Sequence, residues 1–281
     1  MSSPIKTYCL IGDPVQHSLS PLMQNAAFSA LGIKSSYLSF RVPSRDLKTS
    51  IESLKSIGIA GFNVTIPHKI SILQYLDELD STASKSNAVN TVKNEGGKLV
   101  GYNTDMYGFI QPLYERNIDF KGKKVLIIGA GGAAYAIVTA LSYEKGISET
   151  IVVNRSSDNA SKLVEHALKL GLKTHKEDFD NLSKHALESD LIINSTSIGL
   201  NNERSPIERD YINPNSFVYD IIYKPIDTDL LRKAKEVNAK VVYGYEMLIA
   251  QGAQAFEIWT GCNAPITAMK KALFGIFGEP T

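Results

Sequence analysis

The sequence predicts an α/β protein of two domains, an N-terminal α/β domain and a doubly wound one, with helices at the C-terminus. Three observations predict it. Between residues 123 and 155 an apolar run, a glycine-rich turn, a helical stripe and a second apolar run follow one another within about thirty residues. Strands and helices go on alternating to residue 243, which implies a parallel sheet covered on both faces. From Tyr245 the pattern turns wholly helical.

Taken in order, residues 8–11 read as a short buried strand ending at Gly12-Asp13-Pro14. Ser20 then stands where a helix cap belongs, with Pro21 as the first helical residue. Leu22, Met23, Ala26, Ala27, Ala30 and Leu31 supply the helix stripe, and Gly32 stops it. Ser18 and Ser20 put two hydroxyls beside free N-terminal amides, which suits a bound carboxylate as well as a plain cap and turn. Residues 37–42 form a second strand, and Ser44 begins a helix carrying Leu47, Ile51, Leu54 and Ile57 before Gly58. In GFNVTIPHK, residues 61–69, a strand presents Asn63, Thr65 and Lys69, with Pro67 expected to start the next helix. Polar groups at a strand end are where α/β proteins hold ligands, although most lysines are simply exposed. Residues 88–92 and 98–102 are the arms of a hairpin turning through Asn94-Glu95-Gly96-Gly97, with Asn90 on the first arm. Asp105 heads a helical run through Phe109 and Leu113, a position that suits any helix-start acid.

In the central unit, residues 125–128 form a strand, Gly129 permits the tight turn, and Gly131 lets backbone approach a pyrophosphate on the helix N-terminus. Ala134 keeps the helix close to the strand, Ile137, Val138 and Leu141 form its stripe, and residues 151–153 make the next strand. A G-x-G-x-x-A in this context points to a dinucleotide and hence to redox chemistry, the plain alternative being a tight turn. A helix at 158–170, strands at 190–195 and 217–222, a helix at 230–237 and a strand at 240–243 follow. Met247, Leu248, Phe256 and Trp259 continue in helix, and Pro265 opens a last helix to residue 277. There is no repeat, low-complexity tract or Pro/Gly/Ser linker. The expected domains are 1–106, 107–243 and 244–281, the last packing back on the first, with a cleft between the first two.

The 281 residues are 43% hydrophobic and 21% charged, enough for a real core and unlike a disordered chain. Thirty basic against 29 acidic residues leave a net charge of +1, so nucleic acid and anionic lipid are not expected partners. The basic run 121–124 reads as a solvated loop. Cys9 and Cys262 are too far apart in sequence for a C-x-x-C motif and are expected as small core residues in a reducing compartment. The opening MSSPIKTY has no apolar signal core, and no run approaches 18 apolar residues, so a cytoplasmic protein is expected, with no membrane partner. No histidine pair has helix spacing and a third ligand nearby, so no metal site is expected; His166, His175 and His185 read as surface positions.

Together these segments resemble the shikimate dehydrogenase family along nearly the whole chain. GDPVQHSLSP (12–21), GFNVTIPHK (61–69), AVNT (88–91) and YNTD (102–105) are similar to its substrate and catalytic segments. GAGGAA (129–134), NRS (154–156), NSTSIG (194–199), DIIYKP (220–225) and GYEMLIAQ (244–251) are similar to its cofactor and cleft segments. The resemblance implies an N-terminal substrate domain plus a Rossmann-type NADP-binding domain. It also implies reversible reduction of 3-dehydroshikimate to shikimate by NADPH, in a monomer or homodimer. Ser18 and Ser20, with Tyr223, match the carboxylate-binding positions, and Thr65, Lys69, Asn90, Asp105 and Gln251 those around the ring hydroxyls and the reacting oxygen. For the cofactor the matching positions are Gly129, Ala130, Gly131, Gly132, Ala133, Ala134, Asn154, Arg155, Ser156, Thr196, Ser197, Ile221, Gly244 and Met247. The chain departs from the pattern at Gln24, where His is frequent, at Met106, where Gly is usual, and at Asn159, where a second Arg often binds the cofactor phosphate.

Hydride addition to a ketone puts negative charge on oxygen, so a positioned cation that can release a proton lowers the barrier. Lys69 suits that role, with Asp105 holding it. Arg155 ends the second strand where an NAD site would carry an acid, which favours NADP, while Asp158 adds an opposing charge. The alternatives are an NAD-dependent quinate/shikimate dehydrogenase and a non-catalytic dinucleotide-binding regulator.

Overall fold

The computed structural model of the protein describes residues 5–278; residues 1–4 of the MSSPIKTY stretch and 279–281, at the outer ends of the first and last expected domains, lie outside the described residues. The chain forms two units, one of the residues up to Gly108 and again from Ile249, the other of Phe109–Leu248. It passes from one to the other inside α4 (Asp105–Glu115) and again inside α9 (Gly244–Thr260).

The first unit holds β1 (Lys6–Gly12), α1 (Ser20–Ala30), β2 (Ser35–Arg41), α2 (Leu47–Ser56), β3 (Gly61–Val64), β4 (Glu78–Leu79), α3 (Ser81–Ser86), β5 (Thr91–Glu95) and β6 (Lys98–Tyr102). Its sheet runs β2-β1-β3-β5-β6-β4. The helix crossovers make β1 parallel to both neighbours, and the hairpin at Gly96 and Gly97 makes β5 and β6 antiparallel. Alternation along β1 divides the core. Cys9 and Ile11 face Leu47, Ile51 and Leu54 of α2. Tyr8 turns the other way and stacks on Phe28 of α1 at 5.3 Å and against Trp259 of α9 at 5.0 Å. Trp259 Nε1 donates to Val92 O at 3.0 Å, and α10 (Ile266–Phe277) packs on α1, so the C-terminal helices belong to this unit.

Several expectations need correction. Ser20 is the first residue of α1 and does not cap it; Leu19 holds the cap position without a side-chain bond. Ser44 opens a 3₁₀ turn, Ser44–Asp46, ahead of α2, and Ile57 lies beyond that helix, 73% exposed. Pro67 starts no helix: a cis Ile66–Pro67 bond leads into a turn, and a 3₁₀ segment begins only at Ser71. Asn90 precedes β5. Cys9 is buried, but Cys262 is exposed between α9 and α10.

The second unit holds β7 (Lys124–Ile128), α5 (Gly132–Ser142), β8 (Glu149–Val153), α6 (Ser157–Lys169), β9 (Thr174–Glu177), α7 (Leu182–Glu188), β10 (Leu191–Asn194), β11 (Phe217–Asp220), α8 (Asp229–Glu236) and β12 (Lys240–Tyr243). All six strands are parallel, in the order β12-β11-β10-β7-β8-β9. Successive strands are laid outward from β7 on one side and from β10 on the other, which leaves a crevice at the strand ends between them. The lysine run is less solvated than expected: Lys123 pairs with Asp190 at 2.9 Å, and Lys124, already in β7, pairs with Glu188 and Glu149. His185 is buried on the inner face of α7, and His166 packs half-buried against Tyr135, so neither is a plain surface residue.

Candidate active site

Lys69 reaches the first unit's site from the turn after Pro67, with its carbonyl accepting from Val89 N at 2.7 Å. Asp105 comes from the first turn of α4, its N–H donating to Asn103 Oδ1 at 3.0 Å. Lys69 Nζ donates to Asp105 Oδ2 at 2.6 Å, and the two side chains are only 15% and 6% exposed. Desolvation at such a site offsets much of the Coulomb attraction, so the pair is weak evidence of a stabilising device and stronger evidence of a working one.

The other oxygen of Asp105 accepts from Asn90 Nδ2 at 2.8 Å. Asn90 is oriented from its oxygen side, where Oδ1 accepts from Thr104 N at 2.8 Å and from Thr91 Oγ1 at 3.1 Å. Its nitrogen therefore faces Asp105, and it also reaches Gln251 Oε1 at 3.4 Å. These bonds join Lys69, Asp105, Asn90 and Gln251 into one cluster drawn from four separate segments. Ser18 and Ser20 stand at the start of α1, where Ser18 Oγ accepts from Ser20 N at 3.3 Å, and Thr65 stands just past β3.

The second unit carries the glycine turn. Gly129 has φ of +109°, and a side chain there would begin 2.6 Å from Ser195 Oγ and 2.9 Å from Thr196 Cγ2. Gly131 caps α5, and the space where its side chain would start is open to 4 Å. Gly132 and Ala133 form the first turn of α5, Ala130 is nearly buried, and Ala134 is fully buried beneath. An open backbone at a helix start, with its first N–H groups free of helical partners, fits a phosphate. At the end of β8, Asn154 Nδ2 donates to Ser156 O at 2.9 Å and Asn159 N donates to Ser156 Oγ at 3.4 Å, which caps α6. Arg155 is exposed there and enters no ion pair among the described residues. Thr196 and Ser197 lie on the loop after β10, and Ile221 follows β11. Gly244 opens α9 so close to β11 that a side chain would begin 2.4 Å from Ile221 O, and Met247 lies buried on the same helix. Tyr223 also belongs to this unit.

Sequence reading missed the buried polar groups behind Asn90. Tyr37 Oη donates to Asn63 Oδ1 at 2.6 Å, Asn63 Nδ2 donates to Thr91 Oγ1 at 2.9 Å, and Thr91 and Thr104 set Asn90. Burial holds the Tyr37 phenol well above its ordinary range, so it stays a donor. Thr91 and Thr104 lie inside the AVNT and YNTD segments beside expected site residues, and Asn63, expected at the ligand-facing strand end, is instead buried between Tyr37 and Thr91. Lys176 was missed too: from β9 it donates to Ser157 and Ser161 at 2.7 and 2.9 Å, adding positive charge at the start of α6. Of the three departures, Gln24 is buried, donates to Gly252 O at 2.8 Å and leaves Oε1 without a partner among the described residues; Met106 is buried on α4; Asn159 is exposed.

Three family models match: "Shikimate dehydrogenase substrate binding domain" over residues 10–92, "Shikimate / quinate 5-dehydrogenase" over 113–210, and "Shikimate 5'-dehydrogenase C-terminal domain" over 244–274. A shikimate dehydrogenase (NADP(+)) of Nitrosopumilus maritimus is 51% identical over 272 residues, 97% of this chain and 99% of that one. A crystal structure of a shikimate dehydrogenase in complex with NADP+ is similar with a TM-score of 0.89 and 40% identity, over 98% of this chain and 96% of that one. That of the Thermus thermophilus enzyme in complex with NADP(H) and shikimate has a TM-score of 0.85 and 35% identity, over 96% and 98%.

Proposed function

The chain belongs to the shikimate dehydrogenase family, and on that premise we propose that the Lys69–Asp105 cluster is where its reaction takes place. The reaction is the reversible, NADPH-dependent reduction of 3-dehydroshikimate to shikimate, an oxidoreductase step on the way to chorismate and the aromatic amino acids. The observation that carries the assignment is the shielded 2.6 Å bond between Lys69 Nζ and Asp105 Oδ2, with Asn90 and Gln251 converging on it.

NADPH supplies the hydride. Every other part falls to side chains. Lys69 donates a hydrogen bond to the ketone oxygen and transfers a proton to it as charge develops; in the oxidative direction it takes that proton from the hydroxyl. Asp105 cannot donate while ionised, so it serves to hold the ammonium and one ring hydroxyl. Asn90, Gln251 and Thr65 bind further hydroxyls, and Ser18, Ser20 and Tyr223 bind the carboxylate. The open backbone over Gly131 fits the pyrophosphate, with Gly129, Ala130, Gly132, Ala133 and Ala134 forming the turn. Arg155, with Asn154 and Ser156, meets the 2′-phosphate, and Thr196, Ser197, Ile221, Gly244 and Met247 line the rest of the cofactor site. In this reading residues 1–106 form the substrate domain, 107–243 the NADP domain, and 244–281 pack on the substrate domain while Gly244 and Met247 face the cofactor. Among the described residues no helix is long and apolar enough to cross a membrane. We place the enzyme in the cytoplasm, as a monomer or homodimer.

The test is the rate of NADPH formation from shikimate and NADP+, followed by absorbance. Wild type is expected to turn over, and Lys69→Ala to lose about 10²- to 10⁴-fold in kcat with a much smaller change in KM. A Lys69→Ala enzyme within a few-fold of wild type would overturn the assignment.

A further inference from the structure

Asp220 is a wholly buried carboxylate that the reaction does not use. It ends β11 and enters no ion pair among the described residues; its partners are three neutral donors. Oδ1 accepts from Asn194 Nδ2 at 3.0 Å and from Ile222 N at 3.1 Å, and Oδ2 accepts from Thr228 Oγ1 at 2.7 Å. A carboxylate without a cation is costly in such a place, and a neutral side chain could satisfy most of these donors. What an ionised carboxylate adds is that it can only accept.

That property decides the geometry of Asn194. An amide side chain fits its density of donors and acceptors in either of two orientations unless a neighbour forbids one. From the sheet side, ionised Asp220 forbids the orientation that would turn Oδ1 of Asn194 toward it, and on the loop side Thr196 N–H and Ile198 O fit only the same orientation. Asn194 Oδ1 must therefore face the loop after β10, where it accepts from Thr196 N at 3.1 Å and from Thr196 Oγ1 at 2.7 Å. Asn194 Nδ2 also holds Ile198 O at 3.0 Å, and Thr196 Oγ1 accepts from Ile198 N at 3.0 Å. The loop so fixed is the one against which Gly129 turns, Ser195 Oγ and Thr196 Cγ2 being the atoms that bar a side chain there.

We propose that Asp220 is a positioning residue for dinucleotide binding: by accepting only, it orients Asn194 and through it sets the 195–198 loop that closes one side of the glycine turn. This rests on the reading of the second unit as the NADP site. Residues 220 and 194 touch neither substrate nor cofactor in this role; they act through Thr196.

The experiment is titration of NADP+, in the absence of substrate, into wild type, Asp220→Asn and Thr228→Val, with shikimate titrated separately. Asp220→Asn keeps the shape and loses the acceptor-only character, so NADP+ affinity should fall about tenfold or more, while shikimate affinity, carried mainly by residues of the other unit with only Tyr223 from this one, should fall far less. In kinetics the KM for NADPH should rise and kcat at saturation should change much less. Thr228→Val is the milder break if Asp220→Asn folds poorly; it should weaken NADP+ binding in step with faster hydrogen exchange at the Thr196 and Ile198 amides. An Asp220→Asn protein that binds NADP+ within twofold of wild type would overturn the inference, as would equal losses for both ligands, or faster exchange in Thr228→Val at unchanged affinity. A wild-type protein that takes up no NADP+ would overturn the dinucleotide reading and this inference with it.

Discussion

Lys69 and Asp105 share one bond at 2.6 Å, so removing either leaves the other misplaced in a site that water scarcely enters. Asp105→Ala should therefore depress kcat on the same scale as Lys69→Ala, and the double variant should be scarcely worse than the poorer single one. Losses that multiply would mean the two act separately. The serines should behave differently. In the proposed function Ser18 and Ser20 bind a carboxylate that is the same in ground and transition states, so Ser18→Ala and Ser20→Ala should each mainly raise KM, by roughly 1.5 to 3 kcal/mol of binding. Ser20 caps nothing and Ser18 gives the start of α1 only one long bond, from Ser20 N at 3.3 Å, so their loss should lower thermal stability little, and a large drop in Tm would argue for a structural role. At this scale the sequence named Lys69, Asp105, Asn90 and Gln251, whose side chains the structure brings together. It could not show how Asn90 is turned, because that depends on Thr91 and Thr104 meeting it across a hairpin, and residue order does not encode which oxygen faces which donor.

Among elements, the corner between β8 and α6 bears on cofactor choice. Arg155 is exposed at that corner and enters no ion pair among the described residues, while Asp158 follows on the first turn of α6 and Asn159 brings no charge. A real but weakened preference for NADP is expected, tenfold to a hundredfold in kcat/KM, from one charge-assisted contact worth roughly 1.5 to 3 kcal/mol. Arg155→Ala should cost NADPH far more than NADH when both are measured at one salt concentration; equal losses would show that it does not read the phosphate. Strands with continuous apolar runs, such as β7 and β8, were legible within a residue or two. β9, with the sequence THKE, was not, since an edge strand half open to water needs no apolar run, and α3, with the sequence STASKS, is a helix that only its Asp80 cap announces. The turn at Pro67 misled for another reason: a proline past a strand suits a helix start, and the cis bond that redirects the chain has no signature in residue types.

On the scale of the molecule, Asp220 leaves a mark on stability. Burial pushes its carboxyl up to about 6 from an ordinary 3.8, and hydrogen bonds from Thr228, Ile222 and Asn194 only partly counter that. Between those two pH values the folded chain binds more protons than the unfolded one, so this group's contribution falls as pH rises through the window and stays low above it. Asp190, Glu177 and Asp229 act with the opposite sign, since their pKa values are lowered and their contributions are lost as pH falls. Asp220→Asn removes only the first effect. Its Tm relative to wild type should therefore climb from pH 4 to pH 6.5, by an amount equivalent to at most about 3 kcal/mol, and a flat difference would contradict the titration. The two cysteines, finally, give the molecule a clock of its own. Cys9 lies fully buried on β1, beside the edge strand of the first unit's sheet, with its thiol pushed up to about 12 by burial, whereas Cys262 is exposed. A colourless disulfide reagent that colours on reaction should meet one thiol at once, and the second only as fast as the strand carrying it comes free, so counting thiols against time reads the opening of the first unit while the second, which has no cysteine, is silent.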